Sequence, residues 1–588
     1  MNRRESDILS CIADGTFSNQ RSLAQASGYS LGAVNQTLRS LEEKGYLKPA
    51  GEATELARTF LEQAHPQNAV ILAAGFGMRM APINTEAPKG LLEVNGEPLI
   101  ERTIRQLREA GVQKICVVVG FLKEMYEYLI DEYDVELVVA ADYAAKNNLH
   151  SLNCASRFLK NCYIVPCDIW CEKSPYHATE PYSWYMVSDE VDDSSTVRVN
   201  RKRELVPVAA GKGGNTMIGI AYFTQEDGRL LAERVSALCK DARYDHSFWE
   251  SAIFGKAGLE VQSCVVGADK VVEINTYEQL RELDKNSKQL KTKAISIAAQ
   301  ALGVDTDEIQ QIEMLKKGMT NRSFLFEAKG CRYIMRIPGE GTDQLIDRAQ
   351  EAQVYQTIAS EKLSDDVLYM NPENGYKITR YLNHARNCDP NNVQDLEKCM
   401  AKLRAFHGKR LKVDHTFDIY GKIDFYESLW QGRPSVYRDY AVTKANVKTL
   451  RAYIDATAGE KCLTHIDAVP DNFLFAQDEN GNEEVRLIDW EYAGMQDPYV
   501  DIAMFCIYAL YDREQVDRLI DIYFEGSCEE SVRTRIYCYI AACGLLWSNW
   551  CEYKRNLGVE FGEYSLKQYR FAKDYFRIAQ KRIEGEQY

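Results

Sequence analysis

The chain has 588 residues, roughly four times a typical ~150-residue domain, so about three domains are expected, each with its own core. Hydrophobic residues at 45% and charged residues at 27%, with only 36 Gly and 15 Pro, exclude a disordered or collagen-like chain. Asp plus Glu outnumber Lys plus Arg by 86 to 71, and a net charge of -15 excludes a surface that seeks nucleic acid or anionic lipid throughout. The 17 Cys are scattered without a C-x-x-C pair, which points to reduced thiols and a cytoplasmic protein. The start MNRRESDIL has no apolar stretch behind its charges, and the longest apolar run, Ile536 to Trp547, falls short of the ~20 residues that span a bilayer, so no stable membrane insertion is expected.

Helical periodicity opens the chain: Ile8, Leu9 and Ile12, then Leu23 and Ala24, then Leu31, Val34, Leu38 and Leu41, broken at Gly15, Gly28 and Gly45. Three short helices, a tight turn at Ala26-Ser27-Gly28-Tyr29 and a wing entry at Gly45-Tyr46-Leu47 resemble the winged helix-turn-helix of bacterial transcription regulators. Residues 1–64 carry 7 Lys plus Arg against 8 Asp plus Glu, and the presumed recognition helix sets Arg39 and Lys44 beside Glu42 and Glu43. DNA binding normally needs a basic face, so DNA is a less favoured partner than another protein surface.

From Ala69 buried strands (Ala69 to Leu72, Ile115 to Val119, Val135 to Val139, Tyr163 to Val165) alternate with helical stretches, as in a mostly parallel, Rossmann-like sheet over residues 66–285. The first strand runs into LAAGFGMRMAPINTEAPK, where Leu72, Ala73, Ala74, Gly75 and Gly77 bring backbone N–H groups close to phosphate and Arg79 and Lys89 add charge. This stretch resembles the signature of the nucleoside-triphosphate transferase superfamily, with Met78 where Ser or Thr is usual. That resemblance implies a magnesium ligand at Asp168, a second at Asn275 in Glu273-Ile274-Asn275, with Glu250 as a competing acidic position, and nucleotide contacts at Asn148 and Ser151. The flanks GLLEVNGEPLIERTIRQLREAG and KNNLHSL look most like the bacterial choline-phosphate cytidylyltransferases, which use CTP. A quaternary ammonium needs aromatic faces and a carboxylate. Tyr182, Trp184 and Tyr185, or Tyr244, Phe248 and Trp249 with Glu250, are the candidates. The charged stretch Arg281 to Lys293 reads as a solvated helix end and linker.

Beyond it, Ser323 to Ala328 and Cys331 to Ile337 form a hairpin around Lys329-Gly330, and after residue 390 the chain reads as almost entirely helical. Residues 463 to 492 contain His465-x-Asp467-x4-Asn472 and an apolar run ending at Asp489. In a kinase-like phosphotransferase Asp467 accepts the proton of the attacking hydroxyl, while Asn472 and Asp489 hold magnesium against ATP. Thr320 and Asn321 fit a turn over the phosphates, Arg336 the phosphate-binding strand cation, and Glu351 its ion-pair partner. The run IDWEYAG and the helix with Trp547 and Trp550 resemble choline kinases, which implies an aromatic box of Tyr492, Trp547 and Trp550 with Glu491 as counter-charge.

The reading is a multidomain α/β and α+β chain: a winged helix-turn-helix at 1–64, a nucleotidyltransferase at 66–285 and a kinase of the choline kinase and aminoglycoside phosphotransferase fold at 290–588. Two resemblances fit one sequence of reactions: choline and ATP give phosphocholine, then phosphocholine and CTP give CDP-choline and pyrophosphate, with Mg2+ at both sites. In bacteria the resemblance implies supply of phosphocholine to cell-surface glycans. A homo-oligomer is compatible with the sequence. The rivals are a sugar-phosphate or phosphoethanolamine transferase fused to an ethanolamine or other small-alcohol kinase, and a regulator that senses choline or nucleotide; intact Asp168, Asp467, Asn472 and Asp489 argue against the sensor.

Overall fold

Seven apolar side chains, among them Ile8, Leu9, Leu23, Val34 and Leu41, are buried together and close the first three helices, α1 (Arg3–Ala13), α2 (Gln20–Ser27) and α3 (Leu31–Glu43), around one small core. Asn19 caps α2 by accepting from the N–H groups of Arg21 and Ser22, and Gly28 ends it at φ 69°, a left-handed turn that glycine adopts without strain. The wing is a single bridge, Leu47 to Ala53, followed by α4 (Glu55–Gln63). The computed structural model describes residues 1–588 except 2, 14, 16–18, 50, 210, 255–258, 260, 316–320, 340–344, 478–480, 557–558, 560 and 586–588. Its two compact units are Met1–Ser296 and Ile297–Tyr588.

In the first unit a sheet of seven strands carries the chemistry. In chain order they are β1 (Asn68–Ala73), β2 (Lys114–Val119), β3 (Glu136–Val139), β4 (Cys162–Pro166), β5 (Trp184–Asp192), β6 (Gly214–Phe223) and β7 (Gln262–Val266). Their order across the sheet is β7-β5-β6-β4-β1-β2-β3, with β1 parallel to both β2 and β4. Successive residues of β1 feed two different cores, Ile71 on one face and Val70 and Leu72 on the other, which is why the strand reads as an unbroken apolar run. Arg281 to Lys293 is not the solvated linker the sequence suggested. Asp284 Oδ2 accepts from the Asn95 N–H at 2.8 Å, the Ser287 hydroxyl donates to Glu93 O at 2.8 Å, and Leu290 is buried, so polar spacing here serves contacts to the transferase.

The winged helix is seated on the same unit. Asp7 on α1 accepts from the Tyr182 hydroxyl at 2.8 Å and from Tyr29 at 2.6 Å, and the Arg3 guanidinium lies 5.3 Å over the Tyr182 ring.

The second unit opens with a five-stranded antiparallel sheet: β8 (Gln310–Met314), β9 (Asn321–Ala328), β10 (Cys331–Pro338), β11 (Val367–Met370) and β12 (Lys377–Arg380), ordered β8-β9-β10-β12-β11. Lys329 and Gly330 both have positive φ, the two-residue turn that matches strand twist. After α5 (Arg348–Ile358) the unit is mainly helical and ends on α6 (Glu530–Asn556) and α7 (Glu563–Ile583). The expectation of an almost wholly helical segment beyond residue 390 is corrected by short pairs, Cys462–Thr464 with Gly494–Gln496 and Phe473–Gln477 with Glu483–Leu487. These strands are too brief for periodicity to announce, and they frame the loop that bears Asp467 and Asn472. Among the described residues no helix is long and apolar enough to cross a membrane.

Candidate active sites

At the carboxyl ends of β1 and β4 lies a cavity of about 870 Å³ lined by Leu72, Ala74, Gly75, Gly77, Arg79, Lys89, Asn148, Ser151, Asp168, Glu250 and Asn275, among others. Most of the residues that the sequence proposed for this half therefore line one cavity, Tyr185, Phe248 and Trp249 included, while Tyr182 and Tyr244 do not. Ala73 does not; strand alternation turns its side chain into the core beneath. A Cβ at Gly77, which has φ 58°, would sit 2.9 Å from the Lys89 Cγ, so the glycine makes room for the lysine stem. The Met78 side chain is exposed and is not among the residues that line the cavity.

Two short strands, Ile169–Cys171 and Val271–Glu273, pair antiparallel and so bring Asp168 and Asn275 together from positions over a hundred residues apart. The Lys89 Nζ donates to Asp168 Oδ2 at 2.6 Å and to Asn275 Oδ1 at 2.7 Å. These two oxygens already hold a cation between them, and hard oxygen donors of this kind suit magnesium.

Trp184 is corrected as a substrate contact. Its indole N–H donates to Glu180 Oε2 at 2.7 Å and its ring packs against Tyr163 in the core, because residue 184 points to the sheet face opposite the cavity. Tyr185, one residue on, does reach the cavity and donates to Glu250 Oε1 at 3.0 Å. Among the described residues the enclosed Glu250 Oε2 has no hydrogen-bond partner, and burial pushes this carboxyl up to about 7. Trp249 and the exposed Phe248 flank it.

The second unit has a cavity of about 510 Å³ whose wall includes Asn321, Arg336, Asp467, Asn472, Asp489, Glu491, Tyr492, Trp547 and Trp550. The strand pair Cys462–Thr464 and the helix Val500–Tyr508 shape the loop. Asp501 accepts from the N–H of His465 at 3.1 Å and of Ile466 at 2.7 Å, which holds Ile466 at φ 69°, and from His407 Nε2 at 2.9 Å. Burial drives His465 down to about 4, so it is neutral and braces the loop through Ile488 O at 3.0 Å. Asn472 Nδ2 donates to Asp467 O at 2.8 Å and to its Oδ2 at 3.1 Å. Enclosure, then Asp489 and Glu491, push Asp467 up to about 8; Asp489 is raised by enclosure, and Glu491 reaches about 7 by burial and then by Asp489. Acids held up by one another form a site that gains from any added cation.

Arg336 and Glu351 meet as expected, in two bonds of 2.5 and 2.9 Å, and Arg348 on α5 joins them at 3.0 Å. Glu491 joins this cluster, accepting from Asn321 Nδ2 at 2.9 Å with Arg348 at 3.5 Å. It lines the same cavity as Tyr492, Trp547 and Trp550, with Arg348 and Arg336 at 3.5 and 3.8 Å. Thr320 lies outside the described residues. The Tyr492 and Trp547 rings stand 5.5 Å apart and nearly perpendicular, and Trp547 and Trp550 are 5.5 Å apart. Tyr508, Tyr564, Lys377 and Asp365 also line this cleft. No motif marks these four in the sequence; Arg348, which joins the Glu351 cluster, stands three residues before Glu351 on one helix face.

Residues 69–176 match the MobA-like NTP transferase domain, 312–522 the choline/ethanolamine kinase family, and 1–48 the winged helix-turn-helix DNA-binding family. A 2-aminoethylphosphonate cytidylyltransferase of Lancefieldella rimae is 32% identical over 38% of this chain and 93% of its own length. The choline-phosphate cytidylyltransferase of Streptococcus pneumoniae is 27% identical over 37% of this chain and 96% of its own. Protein LicA of Haemophilus influenzae is 26% identical over 42% of this chain and 96% of its own. The chain thus belongs to the cytidylyltransferase family of MobA-like NTP transferases, and in it that enzyme follows a winged helix-turn-helix and precedes a choline/ethanolamine kinase domain.

Proposed function

We propose that the chain phosphorylates choline with ATP and then couples phosphocholine to CMP from CTP, releasing pyrophosphate, and so supplies phosphocholine for cell-surface decoration. The observation that carries this reading is the second cavity, where Asp467, Asn472 and Asp489 share one wall with Tyr492, Trp547 and Trp550. Acid chemistry and aromatic faces converge there as a trimethylammonium alcohol requires.

In the kinase cleft Asp467 takes the proton as the choline oxygen bonds to the γ-phosphorus and the bond to ADP breaks. Asn472 and Asp489 would hold magnesium, which when bound neutralises phosphate charge. Asp501 keeps the loop in the shape that aims Asp467. In the transferase a phosphocholine oxygen attacks the α-phosphorus of CTP, the bond to pyrophosphate breaks, and Lys89 and Arg79 offset the developing charge. Asp168 and Asn275 would hold the metal there, while Asn148 and Ser151 contact the nucleotide.

A second reading concerns the transferase acceptor. Glu250 offers an enclosed oxygen, unpartnered among the described residues, that an N–H donor could bond, which a trimethylammonium cannot do. That favours a primary amine such as phosphoethanolamine or 2-aminoethylphosphonate, the substrate named for one relative. For residues 1–64 we favour a protein-contact role over DNA binding, because Lys44 is committed to Glu5 at 2.7 Å and Arg3 and Asp7 to the transferase.

Incubation with choline, ATP, CTP and Mg2+, followed by mass spectrometry, tests both steps; omitting CTP should stop at phosphocholine. Parallel incubations with ethanolamine and 2-aminoethylphosphonate read the acceptor. Formation of a cytidylylated amine without any phosphocholine product would overturn the proposal.

A further inference from the structure

The loop that bears Asp467 holds another acid, Asp471, which the proposed phosphoryl transfer does not use. Residues Pro470–Asn472 form a single 3-10 turn that sends neighbouring side chains to different partners. Asn472 donates to Asp467, whereas Asp471 turns to the helix Val500–Tyr508 and accepts from the Tyr508 hydroxyl at 2.6 Å. Its main chain is tied as well, because Asn387 Nδ2 donates to Asp471 O at 2.7 Å. The carboxylate is therefore aimed, although it stands open to solvent. Tyr508 sets it beside the aromatic rings. Met504, one helical turn before Tyr508, accepts the Trp547 indole N–H on its sulfur at 3.0 Å, so Tyr508 leaves the helix on the side that faces Trp547. The Tyr508 and Tyr564 rings stand 6.0 Å apart, edge to face, and both line the cavity together with Asp471, Trp547 and Trp550.

A trimethylammonium has no N–H to donate and spreads its charge over its methyl groups, so it takes aromatic faces and a carboxylate whose charge is not already neutralised. Glu491 has Arg348 and Arg336 at 3.5 and 3.8 Å, and the proposed reaction employs Asp467 as base and Asp489 as metal ligand. Asp471 makes no ion pair among the described residues; its side chain holds only the neutral Tyr508 hydroxyl. We propose that Asp471 is the counter-charge to the quaternary ammonium of the kinase substrate and so sets the preference for a cationic alcohol, with Tyr508 as the positioning residue that aims it. The inference rests on the choline reading of this cleft and deepens it.

The test compares choline with its neutral isostere, in which a tert-butyl group replaces the trimethylammonium. Choline KM and the constant for competitive inhibition by the isostere are measured on the full chain with saturating ATP and Mg2+. Asp471→Asn keeps the shape and removes the charge. It should raise choline KM at least about five-fold, the scale of one solvent-open charge pair, while the isostere constant and the ATP KM stay unchanged. Tyr508→Phe keeps both the acid and the ring but releases the carboxylate, and should raise choline KM at least about two-fold with the isostere again unaffected. Should Asp471→Asn not fold or not turn over, Tyr508→Phe decides by the same ratio. An unchanged choline KM, or equal weakening of choline and the isostere, overturns the assignment. A wild-type chain that takes the two alcohols equally well would refute the choline reading above, since that preference is read before any substitution is made.

Discussion

Replacing Asp467 by Asn separates what the residue does for chemistry from what it costs the fold. In the folded chain its carboxyl is pushed from an ordinary 3.8 up to about 8, by enclosure and then by Asp489 and Glu491. The unfolded chain gives up this proton near pH 4, and the folded chain keeps it until near pH 8. Stability therefore falls as pH rises between those values, because the unfolded state is the one that releases the proton. Over a span of about four pH units at about 1.4 kcal/mol each, the ionised group costs on the order of 5 kcal/mol. That is an upper figure, since the carboxylate opens onto cleft water. Asn has the same shape and can still meet Asn472, but carries no charge. In chelator at pH 8 the variant should melt several degrees higher than the wild type, and the gap should shrink toward pH 4. Choline phosphorylation should fall at least ~100-fold, the scale of lost acid–base catalysis, while cytidylyl transfer from supplied phosphocholine survives. A variant that loses activity and melts lower would show Asp467 to be a structural residue, and an unchanged kcat would remove it as the base.

Three further outcomes follow from the same geometry. Asp168→Asn should abolish cytidylyl transfer and leave ATP-dependent phosphocholine formation intact, as read by product mass spectrometry; a fully active variant would sink the assignment. Trp550 is buried between Trp547 and Phe561, with ring centroids at 5.5 and 5.2 Å, so Trp550→Leu should raise the choline KM roughly ten-fold and also lower the melting temperature by several degrees. The discriminating readout is choline protection against heat, which the wild type should show and the variant should lack; an unchanged choline KM refutes the box. For Glu250, held up near 7 by burial, acceptor KM should fall as pH rises through 7 and become pH-independent in Glu250→Gln, with CTP KM unaffected. A wild-type acceptor KM that is flat across that range would argue against contact with the ammonium.

The sequence by itself determined the three folds, their order and most of the candidate residues that line the two cavities. Residues such as Gly77, Lys89, Asp467, Asn472 and Asp489 stand at fixed short spacings, and a local pattern carries that information directly. Tertiary structure alone decided which neighbours the remaining side chains meet. Trp184 and Tyr185 are adjacent in the chain, and only the side of β5 covered by the core separates a packing residue from a cavity residue. Glu491 follows Asp489 by two positions, yet its carboxylate is claimed by arginines from a different part of the sheet and helix. Lys377 carries no motif at all; its place opposite Arg336 exists only once β10 and β12 pair. The physical reason is the same in each case: local spacing specifies what a residue can do, whereas long-range register and packing select the partner with which it does it.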